Sequence, residues 1–260
     1  MPRLAANLSM LFTELPFLDR FAAAAAAGFT GVEFLFPYDH PVEAVKACAE
    51  AAGVDIVLFN MPPGNWGEGE RGLAVLPGRA ADFREGLSRA MHYARHLDVP
   101  RLHMMAGLAS SNDAGARQRY RDGLLAASDI AGEAGIDVLI EPLNGRDMPG
   151  YFLDSFEMAA DIIADLDRPN VRLQYDIYHR QILHGDVLRS LEVLMPIIGH
   201  IQIAAVPDRS EPGTGELDDA RILRAIDQLG YRGWVGCEYR PLGDTMDGLS
   251  WRPALQIAPR

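Results

Sequence analysis

Gly135-Ile136-Asp137-Val138-Leu139-Ile140-Glu141 joins two kinds of local pattern. A long helical run over Ala114–Ala134 stops at the glycine, and a short apolar, β-branched run then ends on a single acid. That is one strand–helix unit of a parallel sheet, and the chain repeats it in both directions.

Downstream, Ser155–Leu166 reads as helix and Val171–Asp176 as strand, Val187–Met195 as helix and Gly199–Ala205 as strand, Asp218–Leu229 as helix and Gly233–Tyr239 as strand. A last helical stretch starts near Asp247. Upstream, strands are expected at Leu4–Ser9, Gly31–Phe36, Asp55–Asn60 and Arg101–Ala106, with helices at Pro16–Ala27, Pro41–Ala52 and Ala80–His96. Proline opens and glycine closes the first of these helices, the asymmetry that helix ends favour. About eight such units in 260 residues predict a closed (β/α)₈ TIM barrel, one α/β domain over residues 1–260 with no linker.

Composition narrows the function. The chain is 48% hydrophobic and 23% charged, the balance of a folded soluble domain. Its net charge of −12 speaks against nucleic acid, whose phosphates demand clustered Lys and Arg. A small anionic substrate stays compatible, because a few placed arginines dominate a pocket locally. Cys48 and Cys237 fall outside any CxxC spacing, which predicts reduced thiols in a cytoplasmic protein. Asn7, Ser9, Thr13 and Glu14 interrupt any signal-peptide core, and no run reaches the about 20 apolar residues of a membrane helix.

In a barrel, chemistry gathers at the C-terminal ends of the strands. Four late strands end in polar residues: Glu141, Asp176, Gln202 and Glu238. Three carboxylates brought to one mouth would resist ionisation unless a cation joined them. An all-oxygen donor set suits Mg²⁺ or Mn²⁺ better than Zn²⁺ or copper.

Other residues leave alternatives open. His179 either touches substrate or caps the turn that follows Asp176. Asp147 either binds a substrate hydroxyl or accepts from loop amides. His200 shares a strand face with Gln202 but lies deeper, where a satisfied core histidine is expected. Cys237 alternates away from Glu238, towards the helices. Residues 61–77 carry Pro62, Pro63, Gly64, Gly67, Gly69 and Gly72 around Trp66, Glu70 and Arg71, and form either a lid or an ordered surface excursion.

The motifs Ala6-Asn7-Leu8-Ser9-Met10-Leu11-Phe12, Gly31-Val32-Glu33-Phe34 with Phe36-Pro37-Tyr38, and Gly69-Glu70-Arg71-Gly72 resemble the hydroxypyruvate isomerase family. So do Gln174-Tyr175-Asp176-Ile177-Tyr178-His179, Glu211-Pro212-Gly213-Thr214-Gly215-Glu216 and Gly233-Trp234-Val235-Gly236-Cys237-Glu238-Tyr239. That family sits within the xylose-isomerase-like barrels, alongside ketose 3-epimerases. The resemblance implies Glu141, Asp176, Gln202 and Glu238 as ligands of one divalent metal and Glu141 and Glu238 as the acid/base pair. Gln202 stands where many epimerases carry histidine. The chain departs from the family at Ala205-Val206-Pro207-Asp208-Arg209, where an Asp-Asn-Pro type sequence is usual, which puts the substrate contacts of that loop in doubt.

The implied reaction interconverts hydroxypyruvate and tartronate semialdehyde through an enediolate. The substrate carboxylate calls for a cation, for which Arg71 and Arg209 are candidates, each equally readable as a surface arginine. Trp66 is a candidate cover for the site. A 2-oxo-tetronate isomerase is the nearest rival, ahead of a ketose 3-epimerase and a non-catalytic sugar-acid binding module. A zinc nuclease on the same barrel would need many histidines and a basic face, and seven histidines scattered through an acidic chain do not supply them. Family members form dimers or tetramers, so a homo-oligomer is compatible with the resemblance.

Overall fold

Eight strands in sequence order, β1 to β8, form a closed parallel barrel in the computed structural model, which describes residues 2–255. The strands are β1 Arg3–Asn7, β2 Gly31–Phe34, β3 Asp55–Asn60, β4 Arg101–His103, β5 Asp137–Ile140, β6 Val171–Asp176, β7 Ile198–Ile203 and β8 Trp234–Cys237. Between and after them run α1 Arg20–Ala26, α2 Val42–Ala52, α3 Ala80–His96, α4 Ala114–Gly132, α5 Phe156–Leu166, α6 Ile177–Leu183, α7 Val187–Leu194, α8 Asp219–Gln228, α9 Thr245–Gly248 and α10 Trp251–Ala254. The predicted fold class is the observed one.

Strands β3 and β6 and helix α3 span the residues expected for them, and most other ends move by one to three residues. Two differences have local causes. The first expected helix, Pro16–Ala27, splits into a 3₁₀ turn at Phe17–Asp19 and the shorter α1. Helix α6 starts directly on the last residue of β6, because the Asp176 side chain accepts from the Tyr178 amide at 2.8 Å and caps it. His179 therefore lies in the first turn of a helix.

The chain divides into two compact units. The first takes in residues 2–35, 43–57 and 175–255. Within it β1 pairs with both β2 and β8, and β8 pairs with β7, so Gln202 is in register with Gly236, and Gly236 with Ala5. Phe17, Phe21 and Phe34 pack edge to face at 5.3–5.9 Å, contacts worth about 0.5–1.5 kcal/mol each beyond burial. Gly31 is glycine for want of room: a Cβ there would lie 2.7 Å from the Trp234 ring.

The second unit comprises residues 36–42 and 58–174. It pairs β3 with β4, β4 with β5 and β5 with the first half of β6. The long segment after β3 is ordered around a 3₁₀ turn at Trp66–Glu68 and tied at several points: Met61 N to His103 O at 2.8 Å, Gly72 N to Pro63 O at 2.8 Å and Val75 N to Ala106 O at 3.1 Å. Gly72 has φ 119°, and a Cβ on it would lie 2.4 Å from the Met105 carbonyl oxygen. Among the described residues no helix is long and apolar enough to cross a membrane.

Candidate active site

Glu141, Asp176, Gln202 and Glu238, chosen at strand ends, are all buried, with exposures of 4, 1, 2 and 8%. A carboxylate or amide loses its hydration at such a position, so each must find a partner inside the protein.

In the first unit the partners form one connected network. Glu238 accepts from Nη2 of Arg209 at 2.6 Å through Oε2, and from Nδ2 of Asn7 at 3.3 Å through Oε1. The same Nη2 of Arg209 stands 3.4 Å from Oδ2 of Asp176 and 3.5 Å from Nε2 of His179. Burial pushes the Asp176 and Glu238 carboxyls up, and Arg209 opposes the shift at both. The backbone explains how Arg209 arrives there. It holds φ 54°, its amide donates to Ala205 O at 2.9 Å and its carbonyl accepts from Arg240 N at 2.8 Å. A left-handed non-glycine residue clamped at both ends marks a position held for its side chain. Arg209 is buried, so the surface alternative considered for it does not apply.

Deeper in the same unit, Glu33 on β2 accepts three hydrogen bonds: Nε2 of His200 at 2.6 Å, Nε2 of Gln202 at 2.8 Å and Nδ2 of Asn7 at 3.0 Å. His200 is thus a bonded core histidine, as its depth on β7 suggested. Glu33 was quoted only as part of a motif and had no role. The signal was present, since a lone acid amid Gly31-Val32 and Phe34 of a buried strand needs partners.

In the second unit Glu141 follows β5, and its Oε2 accepts from Nε2 of Gln174 at 3.0 Å. His103, ending β4, brings Nδ1 to 3.7 Å from the same oxygen, and burial lowers this imidazole to about 3, so it is neutral. Sequence reasoning did not single out His103 or Gln174. Asp147 is exposed, and its amide, with that of Arg146, donates to Asn144 Oδ1 at 3.0 Å. Trp66 packs against Phe36 at 5.3 Å, and the Arg71 guanidinium lies 3.8 Å above the Trp66 ring. Arg71 also donates to the Trp66 and Glu70 carbonyls.

In the first unit Asp176 and His179 are both buried, with Nε2 of His179 3.5 Å from Oδ2 of Asp176, a carboxylate–imidazole pair of a kind that can hold a metal ion. A carboxylate oxygen, an imidazole nitrogen and the amide oxygen of Gln202, whose nitrogen is committed to Glu33, are donor types that a divalent cation accepts. Cys48 and Cys237 are free thiols, and burial raises the Cys237 pKa.

The family model of the xylose isomerase-like TIM barrel matches residues 21–255. A 2-oxo-tetronate isomerase from Cupriavidus necator is 51% identical over 96% of this chain and 97% of its own. A hydroxypyruvate isomerase from Escherichia coli is 41% identical over 96% and 98%. A crystal structure of an AP endonuclease, family 2, from Brucella melitensis superposes with a TM-score of 0.95 at 46% identity, covering 98% of this chain and 99% of that one.

Proposed function

The chain belongs to the xylose isomerase-like TIM barrel family and within it to the hydroxypyruvate isomerases, and from that membership we propose that it interconverts hydroxypyruvate and tartronate semialdehyde with a bound divalent metal, Mg²⁺ or Mn²⁺. The observation that carries the reading is the pairing of Arg209 with Glu238 at 2.6 Å, beside buried Asp176 and His179. It joins a fixed cation for an anionic substrate to a carboxylate able to move a proton.

Glu141, Asp176, Gln202 and Glu238 are the ligands in this reading, and Glu141 and Glu238 the acid/base pair. The metal supplies Lewis-acid charge where oxygen becomes negative in the enediolate. One glutamate takes a proton from C3 of hydroxypyruvate, and the same or the opposite one returns a proton to C2. A second proton passes between the neighbouring oxygens, so the hydroxyl becomes the aldehyde and the ketone becomes the hydroxyl. General acid/base transfer of this kind contributes about 10² to 10⁴-fold. Arg209 binds the substrate carboxylate, with Arg71 as a second cation on the loop. His179 and Asp147 contact substrate oxygens, and Trp66 shields the site from water.

A second reading, a 2-oxo-tetronate isomerase, draws on the 51% identity to the Cupriavidus relative of that name. The chemistry is unchanged, and the pocket accepts one more hydroxymethyl group. The nuclease name of the Brucella protein fits less well, because the proposed ligand set holds no histidine and the chain carries a net charge of −12. Free thiols agree with the cytoplasm as the compartment.

The test is turnover of hydroxypyruvate in D₂O by wild-type protein and Glu238→Gln. The wild type is expected to form tartronate semialdehyde by proton transfer, and the folded variant to lose nearly all turnover. Near-normal activity of the variant removes Glu238 from the acid/base role.

A further inference from the structure

Glu33 is the penultimate residue of β2, as Gln202 is of β7; it is 1% exposed and holds three side chains at once. We infer that Glu33 is a positioning residue that fixes which atom of Gln202 is offered to the metal, and that its bond to Asn7 extends this control to Glu238. The inference rests on Gln202 and Glu238 being metal ligands, as proposed above.

An ionised carboxylate only accepts hydrogen bonds, so every partner of Glu33 must turn a donor towards it. Gln202 meets Oε1 of Glu33 with Nε2 at 2.8 Å, and the planar amide then directs its oxygen the other way. Rotating that amide by half a turn would bring N–H groups, which repel a cation, to the coordinating position. His200 donates through Nε2 at 2.6 Å, because the carboxylate it meets only accepts. Asn7 has two amide hydrogens and two carboxylates within reach: Glu33 at 3.0 Å and Glu238 at 3.3 Å. Its Oδ1 accepts from Ser9 N at 3.1 Å, which fixes the amide in that orientation.

The strand beneath is shaped for the carboxylate. Gly236 on β8 is in register with Gln202, and a Cβ there would fall 2.2 Å from Oε2 of Glu33. Glu33 thus occupies space that a side chain on β8 would have filled. Groups that orient metal ligands from behind typically account for about 10- to 100-fold in metal affinity.

The test is Mn²⁺ binding to metal-free protein, read by the electron paramagnetic resonance of the free ion. It compares wild type, Glu33→Gln, Gln202→Glu and the double variant. With Gln202 intact, Glu33→Gln is expected to raise the Kd for Mn²⁺ about 10- to 100-fold. In the Gln202→Glu background the same change is expected to leave Kd unchanged or lower it. The amide introduced at position 33 then donates to the carboxylate introduced at position 202, and the bond is restored with its polarity reversed. An equal loss in both backgrounds means that Glu33 acts by its charge alone, and overturns the inference. Wild-type protein that takes up no Mn²⁺ overturns the functional reading and this inference with it. Should Glu33→Gln not fold, Glu33→Asp keeps the charge and retracts the acceptor. A weakened Kd then supports the inference, and a wild-type Kd overturns it.

Discussion

Nη2 of Arg209 lies 2.6 Å from Oε2 of Glu238, and the same nitrogen is 3.4 Å from Oδ2 of Asp176. One guanidinium therefore serves two buried carboxylates. Removing one partner of such a pair leaves the other charge uncompensated, at a cost of about 3–5 kcal/mol. Arg209→Ala is expected to lower kcat/KM for hydroxypyruvate by about 10²- to 10³-fold. Arg209→Lys should recover only part of the loss, since an ammonium lacks the planar fork. Steady-state kinetics of the two variants decide the matter, and values within about threefold of wild type for both would remove Arg209 from substrate binding.

Arg71 stacks on Trp66 and donates to two loop carbonyls, so it is already held in one place. A charge-assisted hydrogen bond from it to the substrate carboxylate predicts a rise in KM of about tenfold or more in Arg71→Ala, with the fold intact. An unchanged KM withdraws Arg71 from that role.

Gly236 gives room to Glu33, and any side chain there collides with its carboxylate. Gly236→Ala is expected to cost about 1–3 kcal/mol in urea unfolding, the usual penalty of overpacking. Stability equal to wild type would mean that the two strands shift apart easily.

Asp219 titrates away from the metal-ligand candidates. Burial pushes its carboxyl from 3.8 up to about 6, against the Gly213 amide that donates to it at 2.6 Å. A carboxyl raised on folding contributes stability that is fully present below 3.8 and is lost as pH rises through about 6. Asp219→Asn removes that dependence while an amide oxygen still accepts from Gly213. Relative to wild type, the variant is expected to gain about 1–3 kcal/mol between about pH 4 and pH 8. Urea unfolding at the two pH values measures the difference, and a constant offset would contradict it.

Much of the architecture is written in local pattern. The apolar runs Asp55–Asn60 and Val171–Asp176 and the amphipathic Ala80–His96 have the observed bounds, because nothing distant is needed to define them. Glu141, Asp176, Gln202 and Glu238 were legible as polar residues closing apolar strands. Glu33 was legible as a lone acid in an apolar strand, but its partners were not, because His200 and Gln202 stand 167 and 169 positions away and no spacing announces them. His103 escaped for the same reason, its neighbour Glu141 being on another strand. Helix α6 escaped because Asp176 both ends a strand and caps a helix, so no loop residues separate the two patterns. The left-handed backbone of Arg209 has no glycine to signal it.

Metal removal and restoration test the proposed isomerisation of short keto acids most directly. Purified protein freed of metal by chelation, then supplied with Mg²⁺ or Mn²⁺, is to be assayed on hydroxypyruvate and on 2-oxo-tetronates. No turnover is expected without metal, and restored isomerisation of hydroxypyruvate with it; metal bound with turnover of neither substrate class would contradict the proposed function and favour a sugar-acid binding module.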